Sequence, residues 1–162
     1  MRQASLGILG QVAPEWGVPK WFNLDPNKTS LTLSEITKPI VYLYCFQGWC
    51  PGCHSHGFPT MAAVRDAVGS NDVAFVAVQT VFEGHEVNTS ERALASASQH
   101  GFDDIPVGHD PGVDGGPPDL MRSYRTGGTP WTVIIGPERR VCFDGFQITP
   151  ETATALIGQL LR

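Results

Sequence analysis

Three long runs of apolar, β-prone residues stand out in the 162-residue chain. They cover residues 39–46, 73–81 and 131–135, and polar or turn-forming residues bound each of them. A nearly continuous apolar run of this length is typical of a strand that is buried on both faces of a sheet. A shorter run at residues 141–143 follows a Gly-Pro turn and predicts a hairpin partner for the third strand.

Helical patterns separate these strands. A helix is predicted from Cys53 to about residue 67, with a kink near residues 55–59, where a glycine and a proline interrupt the pattern. The other predicted helices cover about residues 89–99, about residues 118–125 and the region from residue 149 onward. We expect an irregular lead-in over residues 1–30, a short strand at 31–33, and a loop at 101–118 with a short extended piece at 105–107.

The order of elements is βαβα followed by ββα. Two strands joined through a helix are parallel with a right-handed crossover, and the closing pair is an antiparallel hairpin. The sequence therefore predicts an α/β fold with a mixed central sheet, made of a parallel βαβ unit and a C-terminal β-hairpin, with helices on both faces. No internal repeat and no interdomain linker is visible, so we expect one domain over residues 1–162.

The composition is that of an ordinary globular protein, with 41% hydrophobic and 17% charged residues. The net charge of −5 and the lack of a basic run argue against nucleic acid or an anionic membrane as a partner. No apolar stretch reaches the roughly 18 residues of a transmembrane helix, and the N-terminal residues lack the pattern of a signal peptide. We therefore expect a cytoplasmic protein, although an exported protein without its signal or anchor would show the same pattern.

The motif Cys50-Pro51-Gly52-Cys53 follows the first buried strand after a turn. Pro51 suits the first turn of a helix, because its missing N–H has no partner to lose there. Residues three apart on a helix share one face, with Cβ atoms roughly 5–6 Å apart. A small adjustment therefore brings Cys50 and Cys53 to disulfide distance.

The two sulfurs have different surroundings in this arrangement. Cys50 lies at the helix N-terminus, where free N–H groups and the helix dipole stabilise a thiolate, so it is the candidate nucleophile. Cys53 lies one turn further in and is the candidate resolving thiol, which attacks a mixed disulfide. This chemistry calls for no cofactor and no metal.

Three other interpretations of the motif remain open. The cysteines could be structural, without chemistry. They could bind a metal together with His54 and His56, although no second ligand pair at zinc spacing follows. The motif also matches the C-x-x-C-H pattern of haem attachment, although a buried strand leading into it and the absence of an export signal argue against that interpretation.

The other cysteines and histidines show no spacing that indicates a site. Cys45 and Cys142 lie within strand runs, and we expect both to be buried, inert thiols. The remaining histidines lie in the polar region between the second and third buried strands, at His85, His100 and His109.

Two motifs together, Trp-Cys-Pro-Gly-Cys at residues 49–53 and Thr129-Pro130 before a later buried strand, are similar to those of the thioredoxin superfamily. The lead-in at residues 13–16, the segment at 31–34 and a long insertion at about 82–128 look more like its TlpA-like disulfide reductases and AhpC/TSA-type redoxins. The resemblance covers roughly residues 10–162. It implies a single thioredoxin-like domain with an N-terminal extension over about residues 1–38.

The resemblance also implies roles for residues outside the cysteine pair. In this family the proline before the third core strand, here Pro130, is cis and faces the active disulfide. Thr129 then presents its backbone to an extended substrate, and Trp49 packs beside Cys50 and shapes the docking surface. The implied partners are a disulfide-containing protein substrate and a reducing partner, such as a thioredoxin-reductase-like protein or another thiol donor.

The chain departs from the family at the usual proton acceptors. Thioredoxins themselves have a buried Asp where this chain has Tyr44, and many TlpA-like reductases have a Glu where it has His56. Because His56 lies three residues after Cys53 on the predicted helix, its neutral imidazole is a candidate proton acceptor. His54 is a candidate for stabilising the dithiol electrostatically. Pro59 comes one residue later than usual, which predicts an irregular helix start.

We therefore expect a thiol–disulfide oxidoreductase and, more specifically, a disulfide reductase in which Cys50 attacks and Cys53 resolves. A thiol peroxidase is one alternative, but peroxiredoxins carry a Pro-x-x-x-Thr-x-x-Cys loop. When that loop is aligned on Cys53, Cys50 stands at the threonine position and Phe46 at the proline position, and both departures argue against peroxide chemistry. The other alternative is a metal-binding module that uses Cys50, Cys53 and a histidine.

Overall fold

The three long apolar runs form the centre of a six-stranded sheet in the computed structural model, which describes residues 5–162. The strands are β1 Lys20–Phe22, β2 Ile40–Phe46, β3 Val73–Thr80, β4 Val107–Asp110, β5 Trp131–Ile135 and β6 Val141–Gly145. Their order is β1–β4–β3–β2–β5–β6. β3 runs parallel to both β2 and β4, whereas the pairs β2–β5, β5–β6 and β1–β4 are antiparallel. The predicted mixed sheet is therefore confirmed.

β2 is the central strand, and all seven of its residues are buried. Tyr44, for example, lies opposite Ala77 of β3 and Thr132 of β5. A strand with neighbours on both sides and a covered surface above and below needs an apolar residue at nearly every position. This is why β2 has no polar alternation, and its carboxyl end leads directly to the motif of Cys50.

The described residues form four α-helices, and none of these is long and apolar enough to cross a membrane. They are α1 Phe58–Val68, α2 Ser90–Gln99, α3 Asp119–Tyr124 and α4 Pro150–Leu160. One core contains residues of α1, α2 and α4 with alternate residues of β2, such as Tyr42 and Tyr44. The other contains residues of α3 and of the lead-in with the intervening β2 residues, such as Leu43. Helices therefore cover both faces of the sheet, as predicted.

The strand β1 was not expected from the sequence, and β4 was expected only as a short extended piece at residues 105–107. β1 lies in the predicted irregular lead-in, and β4 lies in the predicted loop at 101–118, where Trp21 pairs with Gly108. Both strands are short, and β4 ends in His109 and Asp110, which are polar but buried. Long-range hydrogen bonds make that burial possible, since the Gln79 amide contacts His109 Nδ1 at 3.0 Å. No local hydrophobic pattern reports such bonds.

The short strand predicted at residues 31–33 is wrong. The chain instead forms a 3₁₀ turn at Leu33–Glu35. Its backbone groups are satisfied locally, because the Glu35 carboxylate accepts the Thr32 N–H at 3.0 Å and the Glu15 carboxylate accepts the Leu33 N–H at 2.6 Å. These side chains take the place of a neighbouring strand, and the turn is more favourable than an unpaired extended segment.

The lead-in also covers one edge of the sheet. The N–H of Gly10 donates to Val141 at 2.8 Å, Val141 donates to Gln11 at 2.9 Å, and Ala13 donates to Arg139 at 2.7 Å. Residues 10–13 therefore satisfy backbone groups at the start of β6 and in the turn that precedes it.

The two cysteines in strands have different environments. Cys45 is fully buried in β2, as expected. Cys142 in β6 is only half-buried, and its thiol contacts the Arg140 carbonyl. The expectation of burial therefore holds for Cys45 alone, because β6 lies at the outer side of the sheet.

Candidate active site

Cys50 and Cys53 lie where β2 turns into the first long helix. β2 ends at Phe46, and the helix begins at Pro51. Cys50 is half-buried, Cys53 is fully buried, and both are free thiols. The backbone N–H of Cys53 points at Cys50 Sγ, with a distance of 3.3 Å from nitrogen to sulfur. A donor at this distance stabilises negative charge on the sulfur of Cys50.

Burial sets the protonation of the inner thiol. Burial, together with the neighbouring Cys50 sulfur, raises the pKa of Cys53 from 9.0 to about 12, although the backbone N–H of Gln47 opposes the shift. Cys53 is therefore a protonated thiol near neutral pH. The outer sulfur is the accessible one of the two.

The predicted irregular start of the helix is confirmed as a π-helical turn at Cys53–Gly57. The carbonyl of Cys53 accepts the N–H of Phe58, five residues on, and also the hydroxyl of Tyr44 at 2.9 Å. A Cβ at Gly57 would overlap the Tyr44 hydroxyl, so only glycine fits there. The π turn adds one residue before Pro59, which occupies the first turn of α1. Tyr44 thus reaches under the cysteine pair from the centre of the sheet.

The Thr129–Pro130 peptide bond is cis, as the resemblance implied. A Cβ built on Gly52 would lie 3.5 Å from Pro130 Cδ, so the proline ring faces the Cys-Pro-Gly-Cys motif. Gln47 joins this loop to the next one, because its side-chain nitrogen lies 3.5 Å from Thr129 Oγ1. The oxygen of the same amide accepts the N–H of Phe82 at 3.2 Å.

Polar side chains also hold the turn at Gly48–Trp49. The N–H of Gly48 donates to Gln79 Oε1 at 2.7 Å, and the N–H of Trp49 donates to Asn88 Oδ1 at 3.1 Å. The Gly48 carbonyl lies 2.7 Å from His54 Nε2 and accepts Arg92 Nη2 at 3.0 Å. Gln79 and Asn88 are themselves buried, so the backbone that carries Cys50 is fixed from within the protein.

Comparison with known proteins agrees with this geometry. A crystal structure of a thioredoxin-like superfamily protein is 34% identical, covers 93% of this chain, is itself covered to 96%, and superposes with a TM-score of 0.82. The chain belongs to the thioredoxin-like superfamily. No family model matches it, and no curated protein matches it in sequence.

Further solved structures resemble this thioredoxin-like protein. A thiol-disulfide isomerase from Corynebacterium glutamicum is 28% identical, with a TM-score of 0.78 and coverage of 92% of this chain and 96% of the isomerase chain. The thioredoxin domain of a thiol-disulfide oxidoreductase from Bacteroides vulgatus shares the fold at 14% identity, with a TM-score of 0.69 and coverage of 96% and 99%. This chain is a thiol–disulfide oxidoreductase.

The histidines near the cysteine pair differ in their contacts, and not all of these contacts were predicted from the sequence. His56 is exposed and forms no hydrogen bond to either cysteine among the described residues. His54 contacts the turn before Cys50 and also lies 2.9 Å from His100 through Nδ1 and Nε2. The spacing of His100 in the sequence indicates no site, but the fold brings the C-terminal end of α2, and His100 with it, against His54.

Other residues of the site were missed for the same reason. Gln79, Asn88 and Arg92 contact the turn at Gly48–Trp49 only after the chain has folded. Gln47 likewise contacts Thr129 of the cis-proline loop only in the folded chain. One available signal was Gln47 itself, a polar residue directly after a strand with no other polar interruption. Among the residues that the structure describes, no three His, Cys, Asp or Glu side chains come together as a metal site requires.

Exposed aromatic side chains lie next to Cys50 in the chain and along the cis-proline loop. Trp49 is 43% exposed, Phe82 36% and Phe146 44%. The ring of Trp49 packs on Gly84, where a Cβ would overlap it. A Cβ at Gly128, next to the cis bond, would lie 3.6 Å from Phe146 and 3.8 Å from Phe82. We call Trp49, Phe82 and Phe146 the aromatic rim.

Proposed function

We propose that this thioredoxin-like protein is a disulfide reductase, with Cys50 as its nucleophile and Cys53 as its resolving thiol. The observation that carries the proposal is the asymmetry of the pair. Cys50 is half-buried and receives the Cys53 N–H at 3.3 Å, whereas Cys53 is fully buried and holds its proton. An incoming disulfide therefore reaches Cys50 first.

The reaction has two displacements. The Cys50 thiolate attacks one sulfur of the substrate disulfide, forms a mixed disulfide and releases the other substrate sulfur as a thiolate. Cys53 then loses its proton and attacks Cys50 Sγ, which forms the Cys50–Cys53 disulfide and releases the second substrate sulfur. The substrate gains two electrons and the protein dithiol loses two. A reducing partner, such as a thioredoxin-reductase-like protein or another thiol donor, returns them.

The aromatic rim and the cis-proline loop support a polypeptide as the substrate. Exposed aromatic side chains beside a reactive sulfur and along the adjoining cis-proline loop are typical of a surface that binds a partner. Thr129 precedes a residue without an N–H, so its own backbone groups are the ones offered to an extended segment beside Cys50. In our proposal Trp49 and Phe146 contact apolar side chains next to the substrate disulfide.

The proton on Cys53 has to leave before the second displacement. His56 remains our candidate acceptor, and its exposed ring is open to exchange with water. Since His56 makes no direct bond to Cys53 among the described residues, a water molecule between them would carry the proton. Because a reductase requires a supply of reduced thiols, we also propose the cytoplasm as its compartment.

Trapping tests the proposal directly. In Cys53→Ser the second displacement is blocked, so we expect a stable mixed disulfide on Cys50 with a protein substrate, detected by mass spectrometry. Cys50→Ser is the matched control and forms none. Trapping on Cys53 instead would overturn the assignment of the two sulfurs.

Two further measurements separate the reductase from its alternatives. We expect an equilibrium potential near the value of about −270 mV that is typical of thioredoxin, and a value near −120 mV would indicate an oxidase instead. Rapid consumption of hydrogen peroxide would favour a thiol peroxidase. Stoichiometric copper or zinc in the reduced protein would favour a metal-binding module.

A further inference from the structure

The pair His54–His100 has no part in the displacements above, yet it lies against the motif. His54 directly follows Cys53, and its Nε2 lies 2.7 Å from the carbonyl oxygen of Gly48, two residues before Cys50. Its other ring nitrogen lies 2.9 Å from His100 Nε2. His54 therefore connects the end of the motif to the turn that precedes it, and His100, directly after the C-terminal end of α2, contacts His54.

The hydrogen-bond roles in this chain follow from the carbonyl. A carbonyl oxygen only accepts, so the proton on His54 lies on Nε2. A neutral imidazole carries one N–H, and Nδ1 of His54 must then accept the Nε2–H of His100. The unprotonated nitrogen that remains is His100 Nδ1. One added proton is compatible with the 2.9 Å bond, whereas a second would set two N–H groups against each other.

Packing keeps the His100 ring in this position. It stacks on Phe58 of α1, with ring centroids 4.6 Å apart and an angle of 9° between the planes. Burial lowers the pKa of His100, and the neighbouring His54 lowers it further. His100 is therefore neutral near pH 7 and takes up a proton only in solution more acidic than its ordinary pKa of 6.5.

The charged groups around the pair come from several elements. From α2, Arg92 shares the Gly48 carbonyl with His54. From α1, Arg65 donates to the Gly101 carbonyl beside His100 and forms an ion pair with Asp104. From the motif, Cys53 directly precedes His54, and Cys50 lies two residues after the Gly48 carbonyl that His54 contacts. A proton on the pair thus adds positive charge beside the turn at Gly48 that leads to Cys50.

We propose that His54 and His100 are positioning residues for Cys50, which hold the Gly48 carbonyl and make the reactivity of Cys50 depend on one shared proton. The inference rests on the proposed role of Cys50 as nucleophile. When the pair is protonated, its charge favours the Cys50 thiolate, so the reactivity of Cys50 falls less steeply with acid than that of an isolated thiol.

The tautomer can be measured without any assay of activity. In the reduced full-length protein, imidazole ¹⁵N chemical shifts report which nitrogen of each ring carries the proton. We expect the Nε2–H form for both His54 and His100 at neutral pH. A dominant Nδ1–H form of His54 would overturn the proposal, because Nε2 would then have no proton for Gly48.

Alkylation of Cys50 by iodoacetamide, followed by peptide mass spectrometry over about pH 5–8, measures the coupling. His100→Phe keeps a ring on Phe58 and removes both nitrogens, and His85→Phe changes an exposed histidine as the matched control. We expect His100→Phe to lose the inflection in the pH profile and to react about threefold to tenfold more slowly in acid. We expect His85→Phe to keep the wild-type profile.

The outcomes separate the proposals. A wild-type profile in folded His100→Phe would overturn the positioning role. Where the phenylalanine variant does not fold, His100→Gln keeps an N–H donor for His54 but takes up no proton, and a wild-type profile in that variant would overturn the dependence on the shared proton. If Cys50 shows the altered profile but Cys53→Ser traps no substrate, the reductase proposal fails and the positioning role stands. If trapping succeeds and the pH profile of His100→Phe is unchanged, the positioning role fails and the reductase proposal stands.

Discussion

The hydroxyl of Tyr44 contributes both to the stability of the protein and to the chemistry of Cys53. The variant Tyr44→Phe tests both contributions. The change deletes the 2.9 Å hydrogen bond to the Cys53 carbonyl but keeps the ring that packs against Phe58. Because that carbonyl retains the Phe58 N–H, the loss is one neutral buried hydrogen bond, or about 1 kcal/mol of the free energy of unfolding. For a chain of this length we expect Tm to fall by about 2–4 °C.

The same change acts on the resolving step. Burial raises the pKa of Cys53, and the Tyr44 hydroxyl is one of the groups that oppose this. Without the hydroxyl the thiolate of Cys53 forms less readily, so we expect the mixed disulfide on Cys50 to be resolved more slowly at neutral pH. Acid-quenched mixtures analysed by mass spectrometry give that rate, and urea unfolding of the reduced protein gives the stability.

Tyr42→Phe is the matched control, because Tyr42 lies on the same face of β2 and is equally buried. Its hydroxyl has no hydrogen-bond partner among the described residues. Removing an unpaired hydroxyl is nearly neutral or stabilising. Equal losses of stability in the two variants, or an unchanged resolving rate in Tyr44→Phe, would refute the reasoning about this hydroxyl.

Four other predictions follow from the site. Gln47→Leu removes the amide oxygen that accepts the partly buried N–H groups of Phe82 and Glu83, and we expect a loss of about 1–3 kcal/mol in urea unfolding. His56→Ala is expected to slow the attack by Cys53 near neutral pH, and unchanged thiol–disulfide exchange would remove His56 from the mechanism. Because burial raises the pKa of Cys53 from 9.0 to about 12, the folded protein holds this proton longer than the unfolded chain. Its contribution to stability is complete below pH 9 and is lost as the pH rises toward 12, so urea midpoints measured over this range should fall less in Cys53→Ser. Phe146→Ser should lower kcat/KM for protein disulfides but not for a small disulfide, whereas the similarly exposed Leu161→Ser should change neither; equal loss with both kinds of substrate would contradict the docking role of the aromatic rim.

The sequence was most informative where the signal is local. The three central strands follow from continuous apolar runs, and the structure places their ends within one or two residues of the prediction. The helix start near Cys53 was also predictable, because proline and glycine restrict the backbone within a few residues. The caps of α2 and α4 at Thr89 and Thr149 belong to the same kind of signal, since each side chain bonds the N–H of the third residue along.

The contacts that hold the motif could not be predicted in this way. His54 and His100 are 46 residues apart in the chain, and Gln79 and His109 are 30 apart. Each pair depends on how α2 and β4 pack on the central strands, which no local pattern encodes. For the same reason β1 was missed, since three residues without alternation become a strand only when β4 lies beside them.

The lead-in has a consequence for how separate copies of the chain behave. An open row of backbone N–H and C=O groups at a sheet edge is a template for another strand, and natural proteins shorten or block such edges. Here β1 is only three residues long, and residues 10–13 bond along the start of β6. A chain that lacks residues 1–13 would expose that side of β6. We expect such a chain to aggregate at concentrations at which the chain of 162 residues remains monodisperse.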